Sequence, residues 1–268
     1  AVGSGVGLGN LWGFAYRSSQ GGGAAFVVLY ILVVLIICLP VFVAEFSLGR
    51  NTATSAFLAP IKAAGQNWAP LGWLFLIVPL CIASYYSVIM GWTIDMFFHI
   101  LFNNLPGNKD EAQELFKLLS SGNRDIIGQI FSLFLGGFII SGGIKKGIEK
   151  INKICMPLLF ILLISLAIWA AFLNNALEGY KNFIFNFDLS LLFDPKNIKN
   201  AFSQAFFSLS LGIGIMVTYA SYLNKKSDLP KQSLQIASLD TLVGLMAGLI
   251  TFPIMFTFGF CASFDGDS

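Results

Sequence analysis

Two short stretches of the chain combine several glycines with small polar side chains inside otherwise apolar segments. They are GSGVGLGN at residues 3–10 and FSLSLGIG at residues 207–214. Glycine costs a helix interior up to about 1 kcal/mol relative to alanine, so an unbroken helix is not expected in either stretch. Unwound backbone would present free amides and carbonyl oxygens. Asn10, Ser208 and Ser210 would add side-chain oxygens suited to a hard cation or a small polar molecule.

Close helix packing is the alternative explanation, because small residues let membrane helices approach one another. The polar neighbours favour binding, since buried polar groups need partners. A nucleotide-binding loop is excluded, because the first cluster does not have the spacing GxGxxG and no strand precedes it. Two further polar residues, Glu45 and Asp240, lie in apolar segments. Carboxylates are expensive in such surroundings and tend to mark ion or proton paths.

The composition identifies the surroundings as a lipid bilayer. Of the 268 residues, 56% are hydrophobic and only 11% are charged, whereas a soluble domain carries about 25% charged residues. A soluble enzyme, a disordered chain and a nucleic-acid-binding protein are therefore not expected. The single histidine and the absence of a nucleophile constellation also argue against an enzyme.

Seven apolar segments approach the length of about 20 residues that a helix needs to cross a bilayer. We number them spans 1 to 7 and interpret residues 1–268 as one membrane domain fragment. The chain begins inside span 1, which is therefore partial. The predicted spans are residues 2–14, 26–48, 70–102, 126–141, 154–173, 201–222 and 234–260.

The lysines predict the orientation of these spans. Two short loops, GGIKKGIEKINK and NKKSDLPKQ, carry seven lysines between them, and basic loops stay in the cytoplasm. Span 2 then runs inward. The two glycine clusters lie in spans 1 and 6, five spans apart. That separation is typical of a five-helix inverted repeat, in which broken helices converge near the midplane on a substrate and ion site.

Three motifs in order carry a resemblance to a known family. They are GSGVGLGNLWGF…QGGGAAF…LPVFVAEFSLGR, then ASYYSVIMGW, then QAFFSLSLGIGIMVTYASYL. The chain resembles the neurotransmitter/sodium symporter family, which includes bacterial sodium-dependent amino-acid transporters, over nearly its whole length. The resemblance implies an all-α integral membrane fold with broken helices in spans 1 and 6. Family members normally have about twelve spans, so spans 8–12 would be missing after span 7.

The resemblance also implies roles for particular residues. The carbonyls of Gly3 and Val6 match the second sodium site, and the Gly5 carbonyl and the Asn10 side chain match the first. Ser208 and, within one residue of alignment, Asp240 match further ligands of the first sodium. The substrate-site positions are Gly5, Leu8, Gly9, Ile82, Tyr86, Phe207, Ser208, Ser210 and Ile213. Within this set, the amides of Leu8 and Gly9 would hold the substrate carboxylate, as a helix N-terminus favours anions. Glu45 would brace the broken backbone.

One departure concerns the outer gate. The family usually has arginine where this chain has Gly13, and Arg17 lies one turn further along. Arg17 is therefore expected to act as the gating residue, with a snorkelling surface arginine as the alternative. The predicted function is sodium-coupled symport of a small neutral amino acid across a cell membrane, in bacteria the inner one. No cofactor is expected besides sodium as the coupling ion. The alternative is a truncated or split, non-transporting subunit or scaffold of the same family.

Overall fold

The computed structural model describes residues 2–102, 106, 109–120, 122–143 and 147–258. The last two residues of the predicted span 7, 259 and 260, lie outside this part of the chain. Helices make up nearly all of the described residues, and no strand occurs among them. Five helices are long and apolar enough to cross a membrane. They are Ala24–Thr52, Gln66–Leu101, Arg124–Ser141, Glu149–Ala171 and Leu229–Thr257.

Spans 1 and 6 are each divided into shorter helical pieces. Span 1 consists of Val2–Gly5, a π-helical turn Gly9–Gly13 and Phe14–Gln20, so it continues beyond the predicted end at residue 14. Span 6 consists of Pro195–Ser208 and Ile215–Ala220. The predicted end of span 1 was too early because hydropathy detects only the apolar part of a segment, whereas the helix continues through polar turns.

Shorter helices lie between the spans. Leu58–Ala64 follows span 2, and Lys109–Leu119 follows span 3, which itself begins with the 3₁₀ turn Gln66–Trp68. Ala176–Tyr180, Lys181–Phe185 and Leu189–Leu192 connect span 5 to span 6. Contacts group the chain into two compact units, which we describe separately. Unit 1 comprises Ala1–Leu76 with Cys155–Ser268, and unit 2 comprises Ile77–Ile154.

Aromatic residues from spans 1 and 2 form the centre of unit 1. The rings of Phe14 and Tyr30 meet edge to face at 5.1 Å, and those of Phe14 and Phe26 at 5.7 Å. Span 7 approaches this centre at Gly244, where an added Cβ would lie 3.2 Å from the Phe14 ring. Spans 1, 2 and 7 are thereby held around the two breaks.

The helices of spans 3 and 4 pack against each other in unit 2 and are joined by polar contacts. The backbones cross at Gly91 and Gly128, where an added Cβ on Gly91 would lie 2.6 Å from the carbonyl carbon of Gly128. The Ser132 hydroxyl donates to the Ser87 carbonyl at 2.7 Å. The Trp92 indole donates to the Asp125 carboxylate at 2.6 Å. Small residues and inter-helix hydrogen bonds are the usual basis of helix association in lipid.

The closest backbone approach between spans 2 and 6 generates a prediction. A Cβ on Gly49 would collide with the Val217 carbonyl and lie 2.8 Å from the Ala220 Cβ. Since overpacking of this kind costs about 1–3 kcal/mol, we expect Gly49→Ala to lower the thermal unfolding midpoint of the complete gene product in detergent. Gly136→Ala is the control, because nothing lies within 4 Å of an added Cβ there. Equal midpoints for the two variants would contradict the packing assigned to Gly49.

Candidate functional site

The break in span 1 lies at Val6 and Gly7, between two helical pieces. The Gly7 amide donates to Asn10 Oδ1 at 3.1 Å. The Gly7 carbonyl accepts from the amides of Asn10 and Leu11 at 3.1 and 3.3 Å, which starts the next helical turn. The amides of Leu8 and Gly9 therefore stand in the first turn of a helix, where N–H groups have no partner inside the helix.

The break in span 6 runs from Leu209 to Gly214. Gly212 and Gly214 have φ values of 79° and 78°, and Ser210 has a φ of 53°. A positive φ at a residue other than glycine stores strain and persists only where surrounding contacts impose it. One such contact comes from span 2, where Glu45 Oε1 accepts a 2.6 Å hydrogen bond from the Gly212 amide. Glu45 is buried, so this hydrogen bond is made within the fold, as expected for a residue that braces the unwound backbone.

Three side chains from spans 1, 6 and 7 meet beside the two breaks. Asn10 Nδ2 donates to Ser208 Oγ at 2.8 Å, to Asp240 Oδ1 at 2.9 Å and to the Asp240 carbonyl at 3.2 Å. Ser208 Oγ donates to Asp240 Oδ2 at 2.5 Å. All three residues are at most 2% exposed. We call Asn10, Ser208 and Asp240 the polar triad.

The backbone of span 1 approaches the polar triad closely at Gly5. An added Cβ would lie 3.2 Å from both Asp240 Oδ1 and the Ser208 carbonyl oxygen. This brings the first helical piece of span 1 against spans 6 and 7 at the level of the triad. Gly5 thus lies beside the two oxygen-bearing residues that the resemblance grouped with it.

The arrangement of the polar triad suits a hard cation. Three oxygens of Ser208 and Asp240 converge on the amide nitrogen of Asn10, which is a hydrogen-bond donor. A cation needs the same kind of oxygen cluster. The side-chain oxygen of Asn10 accepts from the Gly7 amide in this structure. Within the described residues, no group of three or more His, Cys, Asp and Glu side chains forms a transition-metal site. Hydroxyl, amide and carboxylate oxygens suit hard cations better than soft ones.

The remaining predicted residues fall in both units. Val6 is buried and packs with Val243 and Leu163. Ser210 is buried, Ile213 is half-buried and Phe207 is 38% exposed. Gly3 belongs to the first helical piece of span 1. The half-buried residues Ile82 and Tyr86 lie in unit 2, so their place beside the other residues remains a prediction.

Two buried residues at the site were missed from the sequence. Gln204 Nε2 donates to the Gly9 carbonyl at 2.9 Å, which ties span 6 to the restarted helix of span 1. The Tyr30 hydroxyl donates to Asp240 Oδ2 at 3.5 Å. In the sequence, the only indication of either residue is a polar group within an apolar segment. Gln204 also lies one helical turn before Ser208.

Arg17 lies in the outer piece of span 1 and is half-buried. Its Nη1 atom is buried and makes no hydrogen bond to the described residues. Gly13, the usual arginine position, faces Gln204, whose Oε1 would lie 3.4 Å from an added Cβ. Gln204 therefore borders the space in which a side chain at position 13 would begin.

Comparison with known proteins identifies this architecture. The family model described as "Sodium:neurotransmitter symporter family" matches residues 1–115 and 122–268. The chain belongs to the sodium:neurotransmitter symporter family. The crystal structure of MhsT in complex with L-phenylalanine superimposes with a TM-score of 0.89 at 38% identity, covering 96% of this chain and 59% of MhsT. The all-helical transporter fold with broken spans 1 and 6 is thereby confirmed.

Family members of known sequence cover the same region. An uncharacterized sodium-dependent transporter of Bacillus subtilis, YhdH, is 35% identical over 97% of this chain and 58% of its own length. MJ1319 of Methanocaldococcus jannaschii, also an uncharacterized sodium-dependent transporter, is 38% identical over 94% of this chain and 53% of its length. The bovine sodium-dependent neutral amino acid transporter B(0)AT2 is 24% identical over 95% of this chain and 39% of its own length. The chain thus spans little more than half of its prokaryotic relatives, and it is a multi-pass membrane protein of a secondary-transporter family.

The brace at Glu45 generates a prediction about the unwound part of span 6. Glu45→Ala removes the acceptor of the Gly212 amide, whereas Glu45→Gln keeps an oxygen for it. Leaving a buried donor unsatisfied costs about 1–3 kcal/mol. We therefore expect faster hydrogen exchange in residues 209–214 of the alanine variant than in the glutamine variant, read by mass spectrometry of the complete gene product. Identical exchange in both variants would show that Glu45 does not brace this backbone.

Proposed function

We propose that the chain forms spans 1 to 7 of a sodium-coupled symporter that carries a neutral amino acid by alternating access. The observation that carries this proposal is the polar triad, which lies between the two broken helices. Its residues come from spans 1, 6 and 7, so movement of these spans relative to one another would open or close the site. Relatives whose names include sodium dependence and neutral amino acids support the same function.

The first sodium would bind at the polar triad, with the Gly5 carbonyl beside it. The hydrogen-bond partners of Asp240 are Asn10, Ser208 and Tyr30, all of them neutral. A buried carboxylate without a positive partner is costly, and a bound cation would offset that cost. A second sodium would bind the carbonyls of Gly3 and Val6, together with ligands from spans 8–12.

The substrate would lie beside the first sodium with its carboxylate at the amides of Leu8 and Gly9. The space next to Gly7 supports this placement, because nothing lies within 4 Å of a Cβ added there. Monoamine transporters of the family have an aspartate at this position, whereas a glycine leaves room for a substrate that brings its own carboxylate. Tyr86 would donate its hydroxyl to the same carboxylate.

The side chain of the substrate would meet mainly apolar residues. Ile82 and Ile213 would form the walls, Ser210 would lie beside the side chain and Phe207 would close the site as an aromatic lid. We therefore propose a small neutral amino acid as the substrate class. Transport would require spans 8–12 as the partner of this chain, since they complete the second sodium site and the outer gate. The protein would work in the bacterial inner membrane, without catalysing a chemical reaction.

A non-transporting subunit or scaffold is the second candidate function. Gly13 favours it, because a glycine cannot form the ion pair that closes the outer gate in the family. The retained residues Asn10, Tyr86 and Ser208 favour transport. Sodium-dependent uptake of a neutral amino acid by the complete gene product in proteoliposomes separates the two functions.

The polar triad generates a prediction for transport. Asn10→Ala removes one sodium ligand and leaves Asp240 with fewer hydrogen-bond donors, so we expect sodium-coupled uptake to fall to background while membrane insertion is unchanged. Asn174→Ala, an exposed asparagine outside the site, is the control and should transport normally. Normal uptake by the Asn10 variant would count against the assignment of this sodium site.

The buried, unpaired nitrogen of Arg17 generates a second prediction. We propose that Arg17 pairs with an acidic residue of spans 8–12 across the outer vestibule, in place of the arginine that the family has at the position of Gly13. Arg17→Ala should then weaken substrate binding and increase accessibility of the outward-open site to a thiol reagent. Arg17→Lys, which keeps the charge, should have the smaller effect. If neither variant changes binding or accessibility, Arg17 is a surface residue and the gate closes by aromatic packing.

A further inference from the structure

Unit 1 contains a cavity of about 550 Å³ that is separate from the polar triad. It lies between the turn after span 1, the loop between spans 5 and 6 and the last turns of span 7. Twelve residues of span 7 separate Asp240 from Phe252 in the cavity wall, about 18 Å along a helix. The lysine-rich loop before span 7 is at the opposite end, so the cavity opens on the outer side of the membrane.

The walls of this outer cavity are aromatic, with a polar rim. Phe187, Phe252 and Phe256 contribute rings, and the polar rim includes Asn186 and Asp188. Asp188 is the only charged residue among the described residues of the lining. A volume of this size is within the range of small-molecule sites, about 300–1,000 Å³.

The Asp188 carboxylate accepts two hydrogen bonds within its own turn. Its Oδ1 atom accepts from the Ser190 amide at 2.8 Å and from the Ser190 hydroxyl at 2.7 Å. These hydrogen bonds keep the pKa of Asp188 below its usual value. Its Oδ2 atom makes no hydrogen bond to the described residues, so one carboxylate oxygen remains available at the cavity mouth.

The other polar side chains of the lining donate hydrogen bonds to other groups of the protein. Ser19 donates to the Tyr16 carbonyl at 2.8 Å. Asn182 Nδ2 donates to the Glu178 carbonyl at 3.1 Å, and Asn186 Nδ2 donates to Asn182 Oδ1 at 2.9 Å. Each asparagine amide keeps a second N–H, so the cavity presents donors as well as acceptors. Its one negative charge and its aromatic faces favour a cation that carries N–H donors.

We infer that the outer cavity binds an organic amine: a primary ammonium group at Asp188 and Asn186 with an apolar body against Phe252 and Phe256. A free amino acid fits less well, because its carboxylate would face Asp188 and no basic residue occurs among the described residues of the lining. The outer cavity would thus bind phenethylamine in preference to L-phenylalanine, whereas the proposed central site would prefer L-phenylalanine.

The test is equilibrium binding of phenethylamine to the purified complete gene product in sodium-free buffer, where the central site is not expected to hold substrate. Asp188→Asn keeps an acceptor for the Ser190 amide but removes the charge, and Phe256→Ala removes an aromatic wall. Asp194→Asn is the control, because Asp194 caps the next helix through the Lys196 amide without lining the cavity. Thermal unfolding midpoints verify that each variant is folded.

We expect saturable phenethylamine binding that L-phenylalanine does not displace. It should weaken about two- to fivefold in Asp188→Asn, as for loss of an exposed ion pair, and remain unchanged in Asp194→Asn. Absence of saturable binding, equal affinity in Asp188→Asn, or displacement by L-phenylalanine would overturn the inference. Amino-acid uptake by the Asp188 variant, measured separately, reports on the proposed symport and not on this cavity.

Discussion

A backbone that leaves its helix inside a membrane must find hydrogen-bond partners in the protein, because lipid offers none. Polar side chains provide such partners at both breaks, and two of these three side chains come from another span. Glu45 of span 2 accepts from Gly212, Gln204 of span 6 donates to Gly9, and Asn10 accepts from Gly7 within span 1. These hydrogen bonds give part of the unwound backbone its partners within the protein.

The same requirement accounts for the position of the polar triad. Asp240 is buried, and its side-chain partners are neutral donors from spans 1, 2 and 6. Hydrogen bonds lower the cost of a buried carboxylate but do not remove its charge. A cation in this place would complete the site and link the three moving parts around it. Ion binding and the arrangement of the spans would then depend on each other, which is the basis of coupled transport.

The breaks in spans 1 and 6 could be predicted because glycines and polar residues cluster there within apolar segments. Glu45 and Asp240 also stand out as carboxylates in such segments. The contacts of Gln204 and Tyr30 could not be predicted, since their partners are 195 and 210 residues away in sequence and no local pattern indicates such pairs. Hydropathy also could not predict helix ends such as Gln20 and Pro195, because polar turns continue the helices beyond their apolar parts.

The most direct test of the account is equilibrium binding of radiolabelled sodium to the purified complete gene product, with and without a neutral amino acid. Asp240→Ala removes the one charged member of the polar triad, and Asp228→Ala, which removes an exposed helix cap, is the control. We expect the amino acid to raise sodium affinity in the unmodified protein and in the control, and Asp240→Ala to lose one sodium per molecule together with this increase. Unchanged sodium stoichiometry in Asp240→Ala would contradict a sodium site at the polar triad.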